Sequence, residues 1–301
     1  MQFSVWPSYD RSWSETLSLA TWAEQSGFQS FWYADHLMSQ VEGGESGDAH
    51  ECWTVLAAIG ALVPRVRLVS MVSPVTIHHP VLLAKRATTT DHISGGRAVL
   101  GMGAGWMVEE HSAFGFELPE PGPRVARFAE AIEIVYRLFR EDSVNFHGSS
   151  YKLTEARLAP KPVNGTLPLL VGTGSPRMLG LTARWAQEWN TWGDPIEVGR
   201  RTERFVTACE SVGRDPASMH RSAQALVFYA PTAAARAAME SHVVADRSLI
   251  GGAQELIDQL AVYAELGVDE FAIADFTLGD TPEERRETYE ALHADVLSAF
   301  R

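Results

Sequence analysis

Residues 95–111 read Gly-Gly-Arg-Ala-Val-Leu-Gly-Met-Gly-Ala-Gly-Trp-Met-Val-Glu-Glu-His, an apolar strand pattern running into three alternating glycines and a tryptophan. Glycine at 101, 103 and 105 removes every second Cβ, which predicts bare backbone at a strand end against which a flat ring can lie. The stretch is not a dinucleotide fingerprint. Gly-x-Gly-x-x-Gly requires a third glycine where Trp106 stands, and no acidic residue closes a following strand. A second chemically suggestive position is His36, next to Asp35 at an apolar strand's exit, where an imidazole can exchange a proton near neutral pH. Asp35 itself reads as a cap on the loop that follows. A third is Gly-Thr-Gly-Ser-Pro-Arg at 172–177, a strand-to-helix turn with Ser175 as cap and Pro176 opening the helix. Free N–H groups at Gly172, Thr173 and Gly174, the Ser175 hydroxyl and Arg177 together suit an anion such as phosphate. A plain helix cap with no ligand is the alternative there.

Other conspicuous residues carry less. His78 and His79 beside Pro80 read as a polar loop at a helix start. Glu109, Glu110 and His111 are consecutive on a helix, so their side chains diverge by about 100° and cannot share a metal. At most one of them faces a common pocket. Residues 91–97 form a helix-to-strand turn with a folding role, and the glycine-led start at 249–253 is a weaker second anion candidate. A Gly-x-Ser-x-Gly elbow, a His-Glu-x-x-His pair and a Walker lysine are all missing from the sequence.

These residues need elements to hold them. Short β-rich runs near 2–6, 29–34, 66–72, 97–102, 168–171, 188–192, 221–229 and 270–275 alternate with amphipathic helical patterns. Eight successive βα units predict a (βα)8 TIM barrel, with a doubly wound open sheet as the alternative. In a barrel the chemistry collects where strands end, and the predicted ends carry Trp6, His36, Ser70, Met71, Trp106 and Trp192. With Trp53 from the second helix, Trp6, Trp106 and Trp192 predict an aromatic substrate cavity. Ser14 and Thr281 read as helix caps. Three segments exceed ordinary connections and are expected as insertions after strands 2, 4 and 7: a polar, acidic stretch at 36–51, a hairpin at 143–163 bending at Gly148, and an alanine-rich stretch at 230–248. No linker or repeat divides the chain, which predicts one domain over 1–301.

A net charge of −13 opposes binding to nucleic acid or anionic membrane, leaving a small-molecule ligand. Cys52 and Cys209 form no metal spacing and are expected as reduced thiols; with no signal-like or spanning segment, a cytoplasmic protein is expected.

The same motifs carry a family resemblance. Trp-Tyr-Ala-Asp-His at 32–36, Ser-Gly-Gly-Arg-Ala-Val-Leu-Gly-Met-Gly-Ala-Gly-Trp at 94–106, Arg-Phe-Ala-Glu-Ala-Ile-Glu-Ile at 127–134 and Glu-Trp-Asn at 188–190 make the chain resemble the bacterial luciferase-like superfamily over essentially its full length. The resemblance implies a TIM barrel with insertions and either coenzyme F420 or FMN, and the pairing of Ala-Asp-His with Gly-Ala-Gly-Trp looks more like the F420-dependent branch. It implies that His36 is the active-site histidine near the deazaflavin's reactive edge. It also implies a non-proline cis peptide at Ser70-Met71 against the central ring, a ring lined by Gly101, Gly103, Ala104 and Gly105, and a cofactor phosphate at 172–177. A homodimer is implied too. One departure stands out: F420-dependent sugar-phosphate dehydrogenases carry an acid directly after the glycine run, where this chain has Trp106, so that reaction is not expected; Glu109 or Glu110 is the replacement candidate. The expected function is hydride transfer between the deazaflavin C5 and a small organic substrate. The alternatives are an FMN-dependent monooxygenase using O2 and a non-catalytic flavin-binding or deazaflavin-binding protein.

Overall fold

A computed structural model describes residues 1–40 and 46–300. Its framework is eight parallel strands: β1 (Gln2–Trp6), β2 (Ser30–Tyr33), β3 (Arg67–Ser70), β4 (Ala98–Gly103), β5 (Leu169–Gly172), β6 (Glu188–Trp192), β7 (His220–Tyr229) and β8 (Glu270–Ala274). Each pairs with the next, and β8 pairs with β1, so the sheet closes and leaves no edge. The predicted strands match these to within one or two residues at most ends. Among the described residues, ten α-helices surround them: α1 (Trp13–Gln25), α2 (Cys52–Leu62), α3 (Pro80–Ser94), α4 (Val108–Phe114), α5 (Pro121–Arg140), α6 (Pro176–Trp185), α7 (Pro195–Ser211), α8 (Ala233–Met239), α9 (Ala253–Glu265) and α10 (Pro282–Asp295). The fold is therefore a closed (βα)8 barrel.

Strand alternation divides the apolar residues between two cores. Inward positions Trp6, Trp32, Val69, Val99, Leu170 and Ala272 fill the barrel. Outward positions such as Phe31, Leu68, Leu100, Val171 and Phe271 pack beneath the helices. Trp189 on β6 stacks flat on Phe205 of α7 at 4.3 Å between centroids, one of the contacts that fix a helix against its strand. Each such aliphatic or aromatic side chain contributes roughly 1.5–3 kcal/mol by leaving water.

The barrel's N-terminal end is closed by charge instead of hydrocarbon. Arg67, Glu188, His220 and Glu270 are the first residues of β3, β6, β7 and β8. Arg67 pairs with both carboxylates, and Glu270 also accepts from Ser4 Oγ, from Trp32 Nε1 at 3.2 Å and from His220 Nε2 at 2.9 Å. These donors, His220 and Arg67 foremost, overcome burial and hold the Glu270 carboxyl down at about 2. For Glu188 burial dominates and, with the neighbouring Glu270 charge, pushes its carboxyl up against the opposing pull of Arg67 and His220.

The insertions fall where expected. After β2 come short strands at Ser39–Gln40 and Ser46–Gly47; the part of this segment at 41–45 lies outside the described residues. Strands Val144–His147 and Lys152–Ala156 form the hairpin, with the Gly148 N–H donating to Tyr151 O at 2.9 Å. After β7, α8 is followed by Ser248–Gly251, which extends beside β7. Thr281 caps α10 through a reciprocal pair with Glu284. Helix α1 corrects the sequence reading: its cap is Ser12, whose Oγ accepts the Glu15 N–H, so the helix begins at Trp13 before its apolar periodicity is visible. Among the described residues, no helix is long and apolar enough to cross a membrane.

Candidate active site

The strands' C-terminal ends and the loops beyond them surround a cavity of about 470 Å³. Trp6, His36, Met71, Gly105, Trp106, Gly172, Thr173, Gly174 and Trp192 all line it, as the sequence predicts for a barrel mouth.

The alternating glycines act differently from the sequence reading. At Gly101 a Cβ would stand 1.9 Å from the Ser70 carbonyl oxygen, and at Gly103 one would stand 2.6 Å from a Val72 methyl. The space they leave is therefore filled by the chain after β3, which bulges across β4 and then pairs with it again at Ser73–Pro74. Ser70 is fully buried in this crossing, its Oγ donating to Gly101 O at 3.2 Å. Gly101, Gly103, Ser70 and Ala104 do not line the cavity; Met71 and Val72 do, and they form the apolar platform. The non-proline cis bond is Met71-Val72, one residue later than the resemblance implied. Gly105 has a positive φ of 90°, and a Cβ there would meet Thr76 Oγ1 at 2.2 Å, so glycine is required by both conformation and space.

His36, at the exit of β2, is 15% exposed and stands between two rings: Tyr9 at 5.1 Å and Trp106, edge-on, at 5.6 Å. Its Nδ1 lies 3.3 Å from the Glu110 carboxylate, which α4 buries beneath it. Glu109 points to solvent, and His111 is occupied by Met107 O and Thr76 Oγ1, so of these three residues Glu110 alone approaches His36. Asp35 is buried under the cavity wall, where Ser73 Oγ donates to it and His78 Nε2 lies 2.9 Å away. These partners outweigh the opposing effect of burial and hold its carboxyl below the usual range. His78 lies in the loop before α3, as its sequence context predicts, but is buried there as a partner of Asp35 and Arg86. His79 caps α3.

Across the mouth, Gly172, Thr173 and Gly174 line the cavity, but Ser175 and Arg177 turn outward and stay exposed. The cation at this turn is one the sequence did not single out. Arg201, on α7, lies against Gly174 so closely that a Cβ there would be 3.2 Å from its Cδ. Glu197 and Thr191 orient it through Nε and Nη1. Arg247, delivered by the insertion after β7, is a second cavity cation. Neither has a motif, because they come from elements 46 residues apart in chain number that only the closed barrel brings to one rim. The other glycine-led start, before α9, is already satisfied by its own carboxylate: Glu255 Oε2 accepts the Gly252 N–H at 2.9 Å.

Trp53 is the other displaced residue. It is 3% exposed in the outer core, donating Nε1 to Ser73 Oγ at 3.0 Å, and supports the platform from behind instead of lining the cavity. The cavity lining follows strand order. His36 and the rings of Tyr9, Trp106, Trp6 and Phe276 come from the ends of β8, β1, β2 and β4 or from beyond them; Arg201 and Arg247 come from beyond β6 and β7, where Trp192 also lines the cavity with its ring 5.5 Å from that of Trp6.

Known proteins share this framework. Residues 1–241 match the family model described as luciferase-like monooxygenase. An F420-dependent glucose-6-phosphate dehydrogenase of Amycolatopsis mediterranei is 31% identical over 166 residues, which span 54% of this chain and 48% of that enzyme. An uncharacterized protein of Mycobacterium tuberculosis is 29% identical over 208 residues, 64% of this chain and 73% of that one. The solved structure of a coenzyme F420-dependent tetrahydromethanopterin reductase from Methanopyrus kandleri superposes with a TM-score of 0.82 at 18% identity, covering 100% of this chain and 99% of that one. With the family model covering most of its length and the barrel closed as described, the chain belongs to the luciferase-like monooxygenase family, a family of oxidoreductases.

Proposed function

We propose that the protein is an F420-dependent oxidoreductase acting on a small, uncharged organic substrate. The observation that carries the reading is that one cavity holds His36 among aromatic rings and, from beyond β6 and β7, the two cations Arg201 and Arg247. The residues fit a flat, anion-tailed coenzyme. Met71 and Val72 offer an apolar platform, and at Gly172 a Cβ would find its nearest neighbours only at 3.6 Å, leaving room on the same wall. The Gly174 backbone and the two guanidinium groups suit the tail. When bound, F420 supplies the hydride-transfer chemistry, and the protein supplies binding, orientation and exclusion of water.

The chain's own tasks follow from position. Arg201, held by Glu197, would hold the anionic end of the coenzyme, and Met71 would offer its ring an apolar surface. His36 faces the reacting end, where it takes or returns the substrate's hydroxyl proton. Trp106 and Tyr9 pack against it, and among the described residues the cations that line the cavity, Arg201 and Arg247, come from beyond β6 and β7, which suits an alcohol or ketone and disfavours a sugar phosphate. Replacing His36 with alanine is expected to lower kcat by about 10²–10⁴-fold, with coenzyme affinity kept within a few-fold; unchanged turnover would remove its proposed role. Arg201→Ala should instead weaken coenzyme binding by about tenfold or more, the equivalent of roughly 1.4 kcal/mol, with thermal stability nearly unchanged.

The deciding experiment titrates the purified protein separately with F420 and FMN, each oxidised and reduced, following cofactor fluorescence and melting temperature. Micromolar or tighter binding of F420 alone supports the proposal. Selective binding of reduced FMN with oxygen consumption during turnover would mean a monooxygenase. Tight binding without turnover across alcohols and ketones would mean a carrier.

A further inference from the structure

Glu110 is 1% exposed on the first turn of α4, far in sequence from the residues it touches. Its Oε1 accepts the Leu37 N–H at 2.5 Å and lies 3.3 Å from His36 Nδ1, while Oε2 lies 3.4 Å from the same nitrogen. The Leu37 bond ties the carboxylate to the backbone immediately after His36, so carboxylate and ring are held as one unit. Among the described residues no other acid bonds to the ring: Glu109 faces solvent, and the Asp35 carboxylate is engaged by Ser73 and His78. The rings of Tyr9 and Trp106 pack against His36 at 5.1 and 5.6 Å between centroids. Among the described residues nothing hydrogen-bonds to His36 Nε2, and His36 lines the cavity.

An ionised carboxylate only accepts hydrogen bonds, so the nitrogen facing it must carry a proton. A neutral imidazole has one such proton, and placing it on Nδ1 leaves Nε2 as a lone pair. We propose that Glu110 is the positioning residue of this site: it holds the proton of neutral His36 on Nδ1 and so presents Nε2 to the cavity as a proton acceptor. The kinetic consequence rests on the redox reading above, but the tautomer does not. Without the carboxylate, Nε2–H and Nδ1–H forms would both be populated, and the Nε2–H form offers a substrate hydroxyl no base.

Glu110→Gln tests this with almost no change of shape. The glutamine Oε1 stays engaged by the short Leu37 bond, and the NH2 group that replaces Oε2, 3.4 Å from Nδ1, can only donate to that nitrogen, which favours the ring proton on Nε2. The tautomer is read from long-range ¹H–¹⁵N correlations of ¹⁵N-labelled protein at about pH 8.5, above the ordinary imidazole range, with His36 signals assigned by their loss in His36→Gln. The expected result is Nδ1–H in the natural protein and Nε2–H in Glu110→Gln. Under the redox reading kcat also falls by about a hundredfold or more, with F420 affinity within a few-fold of its original value. An Nε2–H tautomer in the natural protein overturns the proposal even if the glutamine variant does not fold. So does a folded Glu110→Gln with an unchanged tautomer. Failure of F420 to bind would reject the redox reading and leave the tautomer result to decide this one.

Discussion

Arg67→Met is expected to destabilise the protein by about 3–5 kcal/mol, the usual cost of leaving buried charge without its partner, and to lower Tm by roughly 5–15 °C. The substitution keeps an apolar stem of similar length at the barrel's N-terminal end, so little packing is lost. It removes the cation shared by Glu188 and Glu270, whose side chains are only 6% and 1% exposed. Glu270 keeps Ser4, Trp32 and His220, but Glu188 loses the one hydrogen-bond partner it has among the described residues. Adding Glu188→Gln to Arg67→Met should therefore recover part of the loss. The two effects are separable by thermal melting of the single and double variants, and an Arg67→Met protein that melts like the natural one would mean that the cluster contributes nothing.

The same cluster fixes a pH signature. Glu270 is held down at about 2 from its ordinary 4.5, so its contribution is fully present above pH 4.5 and is lost as pH falls toward 2. His220 is raised from 6.5, mainly by Glu270 and Glu188 against burial, so its contribution is present below pH 6.5 and fades above that. Glu188, pushed up by burial, works against Glu270 on the acid side. Arg67→Met removes part of what holds Glu270 down, and its stability should fall less steeply than that of the natural protein between pH 4.5 and 2.

Gly101→Ala is expected to damage both stability and binding, whereas Gly172→Ala should damage binding alone. The added methyl at 101 would sit 1.9 Å from the Ser70 carbonyl oxygen, a backbone atom that moves only if the strand moves. Overpacking of this kind costs about 1–3 kcal/mol or more, and the displaced segment carries Met71 and Val72, the proposed platform. Coenzyme affinity should fall by about tenfold or more, the equivalent of roughly 1.4 kcal/mol. At Gly172 the nearest atoms to a Cβ are Asn190 Oδ1 and a Val72 methyl, both at 3.6 Å, ordinary contact distances. Melting temperature should hold there while the methyl takes ligand space. Equal losses of stability in both variants would sink the distinction between a glycine that admits backbone and a glycine that admits ligand.

Arg201 shows why part of the site was hidden. A lone arginine on an amphipathic helix has no local signature, and it becomes a cavity residue only because α7 leans its first turns over Gly174. Arg177 had the better motif, adjacent to the glycines and near a helix start, yet the direction in which α6 leaves β5 turns it to solvent. Trp53 failed for a related reason: a helix residue can face the mouth or the core, and Ser73 behind the platform captures its indole N–H.

What the sequence by itself determined is whatever depends on neighbours along the chain. Alternating apolar runs, turn glycines and helix caps are local, so the eight strands, the order of their helices and the hairpin at Gly148 were legible, and winding order alone then placed His36, Trp106 and Gly172 at one mouth. The tertiary structure decided which residues meet across the barrel. Whether the empty Cβ positions of Gly101 and Gly103 would receive a ligand ring or another strand depended on where the chain after β3 crosses, which no local pattern encodes. The same holds for Glu110 beneath His36 and for Arg67 between two distant carboxylates: their partners are brought within hydrogen-bond reach only by closing β8 onto β1 and packing α4 over the mouth.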